Sequence, residues 1–489
     1  MKKALSFLLC FVLTVALIPS TQADAYGTAS PVIYLCGFTE SDLYDDSGIV
    51  FPPEIDKFGV DDVVKIIPSV LLGLVTGRFE WMTQQLRTLL PTLLTEFNYS
   101  RINSDGTESH PLHVLTRNPT SCRSRGCDYA LQKIAKNCVN GYHYVFETDF
   151  RKSIMDTADE LKLFVDEVKK QTGYSKVSLF GYSQGGSLAA AYLTKYGSCN
   201  DLDRVVFVNS PVYGTKSVTA ALSIKDLNIS ATALLKIGRS VGVDIGFYNA
   251  LSDLIDTRFL NPALEAVGEE FLYPTMMYWC GLWDMAPLED YETLKNTYLD
   301  KTKQAWLIEK SDAFHYDVMA KLDDTVVKAR ANGVQVSFLC GTDCRLVASD
   351  IYNGDSVVDV NGCCHAYSPL YQKGLPNNYE AKGTVCNNPN HQHISPDRKI
   401  DASTCALPEN TWFVIGQGHC QYDKDENTMA LLTHLFTDDT IKDIYSDSRF
   451  PQFTYGSAPS NALGVQFGSL SIGSYSANDT QIILKNYGK

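Results

Sequence analysis

Gly181-Tyr182-Ser183-Gln184-Gly185 constrains this chain more than any other stretch, because of what flanks it. Residues 176–180 read as a short buried strand, and residues 187–193, rich in small side chains, read as a helix. A strand, then G-x-S-x-G, then a helix is the context of a sharp turn. Such a turn holds a serine hydroxyl in the open at the strand's C-terminal end. Gly181 and Gly185 remove side chains that would collide where strand and helix pack. The backbone N–H of Gln184, at the helix start, points where an oxyanion forms. The five-residue pattern alone arises often by chance, so its context and partners carry the weight.

The rest of the chain supplies that context. Apolar strand patterns recur at 31–37, 142–146, 204–208, 334–339 and 411–415. Between them lie helical patterns. In residues 60–97, Phe79, Met82, Leu86, Leu89, Leu93 and Phe97 recur at three- and four-residue spacing. In residues 156–171, Leu161, Phe164, Val165 and Val168 share a face, and residues 431–445 read as a closing helix. This alternation predicts an α/β fold with a doubly wound, mostly parallel sheet. An apolar insertion at about 216–290 interrupts it, where a helical cap would cover the site. Residues 360–408 read as a long polar loop with several cysteines. The Ser/Gly-rich tail at 454–489 reads as a small β segment. The chain contains no internal repeats.

A formal charge of −14 argues against nucleic acid, which needs a basic surface to displace counterions. It also argues against electrostatic docking on anionic membranes, so lipid contact would come from apolar surface. Residues 1–25 have a charged start, an apolar run and a small-residue cleavage site at Ala23-Asp24-Ala25. That is the pattern of a cleaved export signal, of bacterial style. A secreted chain makes disulfides plausible for its 14 cysteines. Cys122/Cys127 and Cys340/Cys344 are candidate short-loop pairs. Cys10 leaves with the signal, so an odd number remains. No C-x-x-C pairs occur, and His391 and His393 have no evident carboxylate partner, so neither a metal nor a cofactor is expected.

A serine hydroxyl is a weak nucleophile near neutral pH and needs a base beside it. In this fold the order along the chain is serine, acid, histidine, each after a strand. Of the nine histidines, His419 closes a strand pattern, with Gly416 and Gly418 before it to turn the chain back over the sheet. The acid belongs after the preceding strand. Asp355 lies in the glycine turn Asn353-Gly354-Asp355-Ser356, with Val357 and Val358 behind it. Asp343 and Asp359 are its rivals. The second oxyanion donor is expected from the turn after the first strand, where Gly37-Phe38 makes the Phe38 N–H the candidate.

With these pieces in place, the chain resembles the lecithin:cholesterol acyltransferase-like branch of the α/β-hydrolase lipases over roughly residues 31–453. The segment Pro31 to Phe38 is similar to the family's P-V-x-x-V-P-G oxyanion segment. Asp149-Phe150-Arg151 is similar to its D-W-R. Ser210-Pro211-Val212-Tyr213-Gly214-Thr215 is similar to its S/T-P-x-x-G-S/T run, and Gly354-Asp355-Ser356-Val357-Val358 to its G-D-G-T-V acid loop. The chain departs from the pattern at Cys36, Phe150 and Asp359. It also places Glu40 where a second glycine is common, and a carboxylate there repels an oxyanion unless it turns outward.

The resemblance implies an α/β-hydrolase fold and a lipid ester substrate. In that reading Ser183 is nucleophile, His419 base and Asp355 its orienter, with the Phe38 and Gln184 N–H groups as oxyanion hole. The cap would touch the lipid interface transiently. Acyl transfer to an alcohol, and a non-catalytic binding protein on the same scaffold, are the alternatives. Oligomeric state is left open.

Overall fold

The computed structural model describes residues 27–51, 98–114, 128–138, 144–223, 273–346, 351–383, 391–456, 465–467 and 470–472, with isolated positions 76, 80, 84 and 87. The expected export signal, the helical pattern at 60–97 apart from isolated positions, most of the expected cap and the candidate pair Cys122/Cys127 lie outside the described residues.

Seven parallel strands form the central sheet. They are β1 (Val32–Leu35), β2 (Tyr144–Phe146), β3 (Val177–Tyr182), β4 (Leu202–Val208), β5 (Gln335–Thr342), β6 (Thr411–Ile415) and β7 (Phe453–Tyr455). Their order is β7-β6-β5-β4-β3-β1-β2, and every pairing is parallel. The chain runs outward from β1 to β2, then returns to β3 and continues the other way. The order therefore reverses at β1/β3, where open α/β sheets leave a crevice at the strands' C-terminal ends. This is the α/β-hydrolase fold, with the Ser183 turn at the end of β3.

Strand residues alternate between two cores, as a buried sheet with both faces covered requires. Ile33 and Leu35 face one core with helices α2 (Ile154–Thr172), α3 (Gln184–Tyr196) and α4 (Leu322–Ala331). Val32 and Tyr34 face the other, with α1 (Asp128–Ala135) and α5 (Glu426–Thr437). Helix α2 shows why its boundaries fall where they do. Ser153 Oγ accepts from the Met155 N–H at its start, and Gly173 closes it at φ 73°. Leu161, Phe164, Val165 and Val168 are buried, as their spacing predicts.

Three elements differ from the sequence reading. The closing helix is Glu426–Thr437, not 431–445: Asp425 caps it through the Thr428 N–H. Past Thr437, Asp438 engages the Thr440 N–H and hydroxyl in a turn. The segment at 360–408 opens with a short helix, Val360–Cys364, capped by Asp359. Strand β7 joins the sheet at its edge, ahead of the tail; within the tail, where a β segment was expected, residues 465–467 pair antiparallel with 470–472.

Asp284 is fully buried and accepts from the Ile154 N–H at 2.9 Å. Burial pushes its carboxyl up to about 7. The folded state thus holds this proton more tightly than the unfolded chain. The associated stability is fully present below pH ~4 and is lost as pH rises through about 7. The difference corresponds to roughly 4 kcal/mol. Asp284→Asn should raise the melting temperature relative to wild type at pH 8 and leave it nearly unchanged at pH 4. Thermal denaturation of both proteins across that range checks this.

Candidate active site

Ser183 follows β3 with φ 52° and ψ −128°, a conformation costly for any residue with a side chain. The surrounding backbone enforces it. A Cβ on Gly185 would stand 2.0 Å from the Leu35 carbonyl oxygen, and one on Gly181 would stand 2.6 Å from Gly186 Cα. A Cβ on Gly186 would meet Ser210 Oγ at 2.1 Å. That hydroxyl donates to the Gly181 carbonyl at 2.8 Å. The glycines therefore let α3 press against β1 and β3, which leaves the chain no room for a wider turn.

The structure brings the three predicted side chains together. His419 Nε2 is 3.0 Å from Ser183 Oγ, and His419 Nδ1 is 2.7 Å from Asp355 Oδ2. All three residues are buried, with Ser183 at 7 % exposure. Asp355 Oδ1 accepts the Val357 and Val358 N–H groups at 2.9 and 2.7 Å. One oxygen of the acid is thus held by its own loop and the other is left for the imidazole. The His419 N–H donates to the Asp355 carbonyl at 2.7 Å, which fixes the two loops to each other. Asn209, after β4, locks the assembly from below. Its Nδ2 donates to the His419 carbonyl at 2.9 Å, and its Oδ1 accepts from the Gly341 N–H at 2.8 Å. The Tyr182 ring lies against the imidazole, centroids 5.2 Å apart.

Backbone conformation explains details the sequence left general. The left-handed residue of the acid turn is Ser356, at φ 91°, not Gly354. Gly354 is required for space: a Cβ there would meet the Val358 carbonyl at 2.1 Å. Gly416, at φ 82°, is the residue that turns the chain after β6 toward His419.

The Gly37-Phe38 turn stands beside the nucleophile, since a Cβ on Gly37 would be 3.0 Å from Ser183 Cβ. Glu40 does not face this turn's outer side. Its carboxylate folds back to accept the Gly37 N–H at 2.7 Å and the Tyr34 hydroxyl at 2.9 Å. It braces the turn rather than standing over an oxyanion. Gln184 opens α3, so its backbone N–H has no intrahelical acceptor. Its side chain donates to the Phe150 and Gly281 carbonyls at 3.2 and 3.1 Å.

The rival acids have other partners. Asp343 pairs with Lys399. Asp359 accepts the Gly362 and Lys216 N–H groups at 3.0 and 2.9 Å, and burial raises its carboxyl above the usual range. His393 Nδ1 meets Gln452 Oε1 at 2.9 Å, and His391 Nδ1 meets the Tyr445 hydroxyl at 3.2 Å. Among the described residues, no three His, Cys, Asp or Glu side chains are grouped to hold a metal ion.

Two groups hold the site in ways the sequence reading did not assign: Asn209 was not singled out, and Arg151 was noted only within the Asp149-Phe150-Arg151 segment. Asn209 carries no motif, although its place after a strand beside Ser210 was a signal. Arg151 is fully buried and grips Asp149 through Nε and Nη2 at 2.9 and 2.7 Å. Its Nη1 donates to the Ser100 carbonyl, which also accepts from Trp279 Nε1 at 2.8 Å. Phe38 packs against the buried rings of Phe150 and Trp279, with centroids 5.3 to 6.0 Å apart.

No family model matches this chain, and no curated protein matches it. Among solved structures it is similar to a meta-cleavage product hydrolase at 13% identity and a TM-score of 0.27, covering 66% of this chain and 89% of that one. It is also similar to a carboxylesterase of the ammonia-oxidizing thaumarchaeon Nitrososphaera gargenis at 12% identity and a TM-score of 0.23, covering 65% and 75%. Likeness at this level adds nothing on substrate or mechanism. The fold assignment rests on the strand order and the turn at Ser183.

Gly37→Ala should push a methyl group against Ser183 Cβ and the Tyr182 ring. The expected result is a fall in kcat of roughly tenfold to a hundredfold with a small change in melting temperature. Ester hydrolysis and thermal denaturation of the same preparation read both.

Proposed function

We propose that this chain is a serine hydrolase of carboxylic esters, with lipid esters as its substrate class. The observation that carries the reading is the hydrogen-bonded series Ser183 Oγ, His419 Nε2, His419 Nδ1, Asp355 Oδ2 at the crevice where the strand order reverses. His419 takes the serine proton as Ser183 Oγ attacks the acyl carbon. Asp355 holds the imidazole in the tautomer that leaves Nε2 free to accept, and stabilises the imidazolium. The Phe38 and Gln184 N–H groups receive the charge on the former carbonyl oxygen. His419 then protonates the leaving alcohol. Water, activated by the same imidazole, releases the acid and restores the serine. No cofactor enters these steps.

The lipid preference is supported by the resemblance to the acyltransferase-like lipases. The signal-like pattern of residues 1–25 supports action outside the cytoplasm, and the apolar sequence at about 216–290 supports transient contact with a lipid interface.

The test is hydrolysis of p-nitrophenyl esters from acetate to palmitate by the wild type and by Ser183→Ala. Activity should rise with chain length and fall on the order of 10⁶-fold in kcat in the variant. Activity confined to short chains removes the lipid assignment. Full activity in the variant removes the mechanism. A folded protein that neither hydrolyses any ester nor labels at Ser183 with a fluorophosphonate is a binding protein. Product analysis with an added alcohol separates hydrolysis from acyl transfer.

A further inference from the structure

Four buried cysteines stand behind the acid loop, and the proposed reaction uses none of them. Cys340 lies in β5, Cys363 and Cys364 are neighbours in the helix Val360–Cys364, and Cys405 follows the turn Ala402–Thr404. Cys363 Sγ is 2.9 Å from Cys340 Sγ, and Cys405 Sγ is 3.8 Å from Cys364 Sγ. Successive side chains on a helix diverge by about 100°. Cys363 turns to the sheet, where it meets Cys340 at the shortest of these separations, and Cys364 lies between Cys340 and the 402–405 turn, in contact with Cys405.

We infer that these residues form two disulfides, Cys340–Cys363 and Cys364–Cys405, which clamp the segment carrying Asp355. All of these cysteines are thiols in the structure, and the short-loop candidate pair Cys340/Cys344 competes with Cys340–Cys363 for the same sulfur. Cys340 lies in an extended strand, whose rise of roughly 3.3 Å per residue carries Cys344 away. Cys344 instead pairs its backbone with Gly354. A shared metal fits less well. Thiolates around zinc at about 2.3 Å keep their sulfurs roughly 3.8 Å apart; Cys364 and Cys405 stand at that separation, but Cys340 and Cys363, at 2.9 Å, are too close to share an ion with them.

The oxidant is a disulfide-form acceptor, such as oxidised glutathione. One protein thiolate attacks the acceptor's S–S bond and releases one acceptor thiolate. The second protein thiolate then displaces the other half. Two protein S–H groups become one S–S bond, and one acceptor S–S bond becomes two thiols.

The first bond joins residues 23 apart and encloses Asp355. The second joins residues 41 apart and encloses the polar segment after it. Closing segments of this length restricts the unfolded chain. The helix they bracket is already docked, because the Gly362 carbonyl accepts the Tyr213 N–H at 2.9 Å and Thr215 Oγ1 donates to the Val357 carbonyl at 2.8 Å. With both bonds formed, the carboxylate facing His419 is carried on a segment tied to the sheet on one side and to the 402–405 turn on the other.

The test is differential alkylation of the full chain after incubation with oxidised glutathione, denatured without reductant and mapped by mass spectrometry. All four residues should resist alkylation until a phosphine reductant is added. In Cys340→Ala, Cys363 should become alkylated while Cys364 and Cys405 stay blocked. In Cys405→Ala, only Cys364 should be released. Complete alkylation of all four in the unreduced wild type overturns the inference. So does a Cys363–Cys364 bond, or stoichiometric metal released by acid. The clamp itself is read by hydrogen exchange of the Val357 and Val358 amides, which should be at least tenfold faster in the reduced protein. Equal rates in the two states remove it.

Discussion

The site depends on the close approach of α3 to β1 and β3. No atom larger than hydrogen fits on Gly185 beside the Leu35 carbonyl, or on Gly186 beside Ser210. That contact compresses the connection between strand and helix until Ser183 has only a positive-φ conformation left. The strain is local, while its support is spread over two buried cores. A packed interior yields little, so the serine stays fixed while three separate loops converge on it.

Those loops are coupled through backbone groups more than through side chains. The His419 N–H is spent on the Asp355 carbonyl, and the His419 carbonyl on Asn209. Asn209 also takes the Gly341 N–H from the end of β5. The distance between acid and base is therefore set by the ends of β4, β5 and β6, three neighbours in the sheet. Glu40 shows the same economy at the other side of the site. Folded back onto Tyr34 and Gly37, its charge braces the Gly37-Phe38 turn.

Much of the fold was legible because strands buried on both faces read as apolar runs and helices as periodic ones. Val177–Tyr182 and Ile154–Thr172 are examples. The closing helix was misplaced because apolar residues continue past Thr437, while the decisive signals were the polar caps at Asp425 and Asp438. Strand β7 was missed because its burial is incomplete and its run is only three residues long. Chain order placed Ser183, Asp355 and His419. The contacts of Asn209 and Arg151 were not legible, since they reach partners between 43 and 210 residues away, apart from the local Asp149 contact.

By itself the sequence determined the serine turn, the alternation that makes a parallel sheet, and the chain order of Ser183, Asp355 and His419. These are local or periodic properties, written into spacing and residue type. Only the tertiary structure decided which way Glu40 turns, that Gly354 serves space and Ser356 serves conformation, and which thiols face each other behind the acid loop. Each of these depends on the separation of atoms on different strands, and pattern along one chain does not encode that distance.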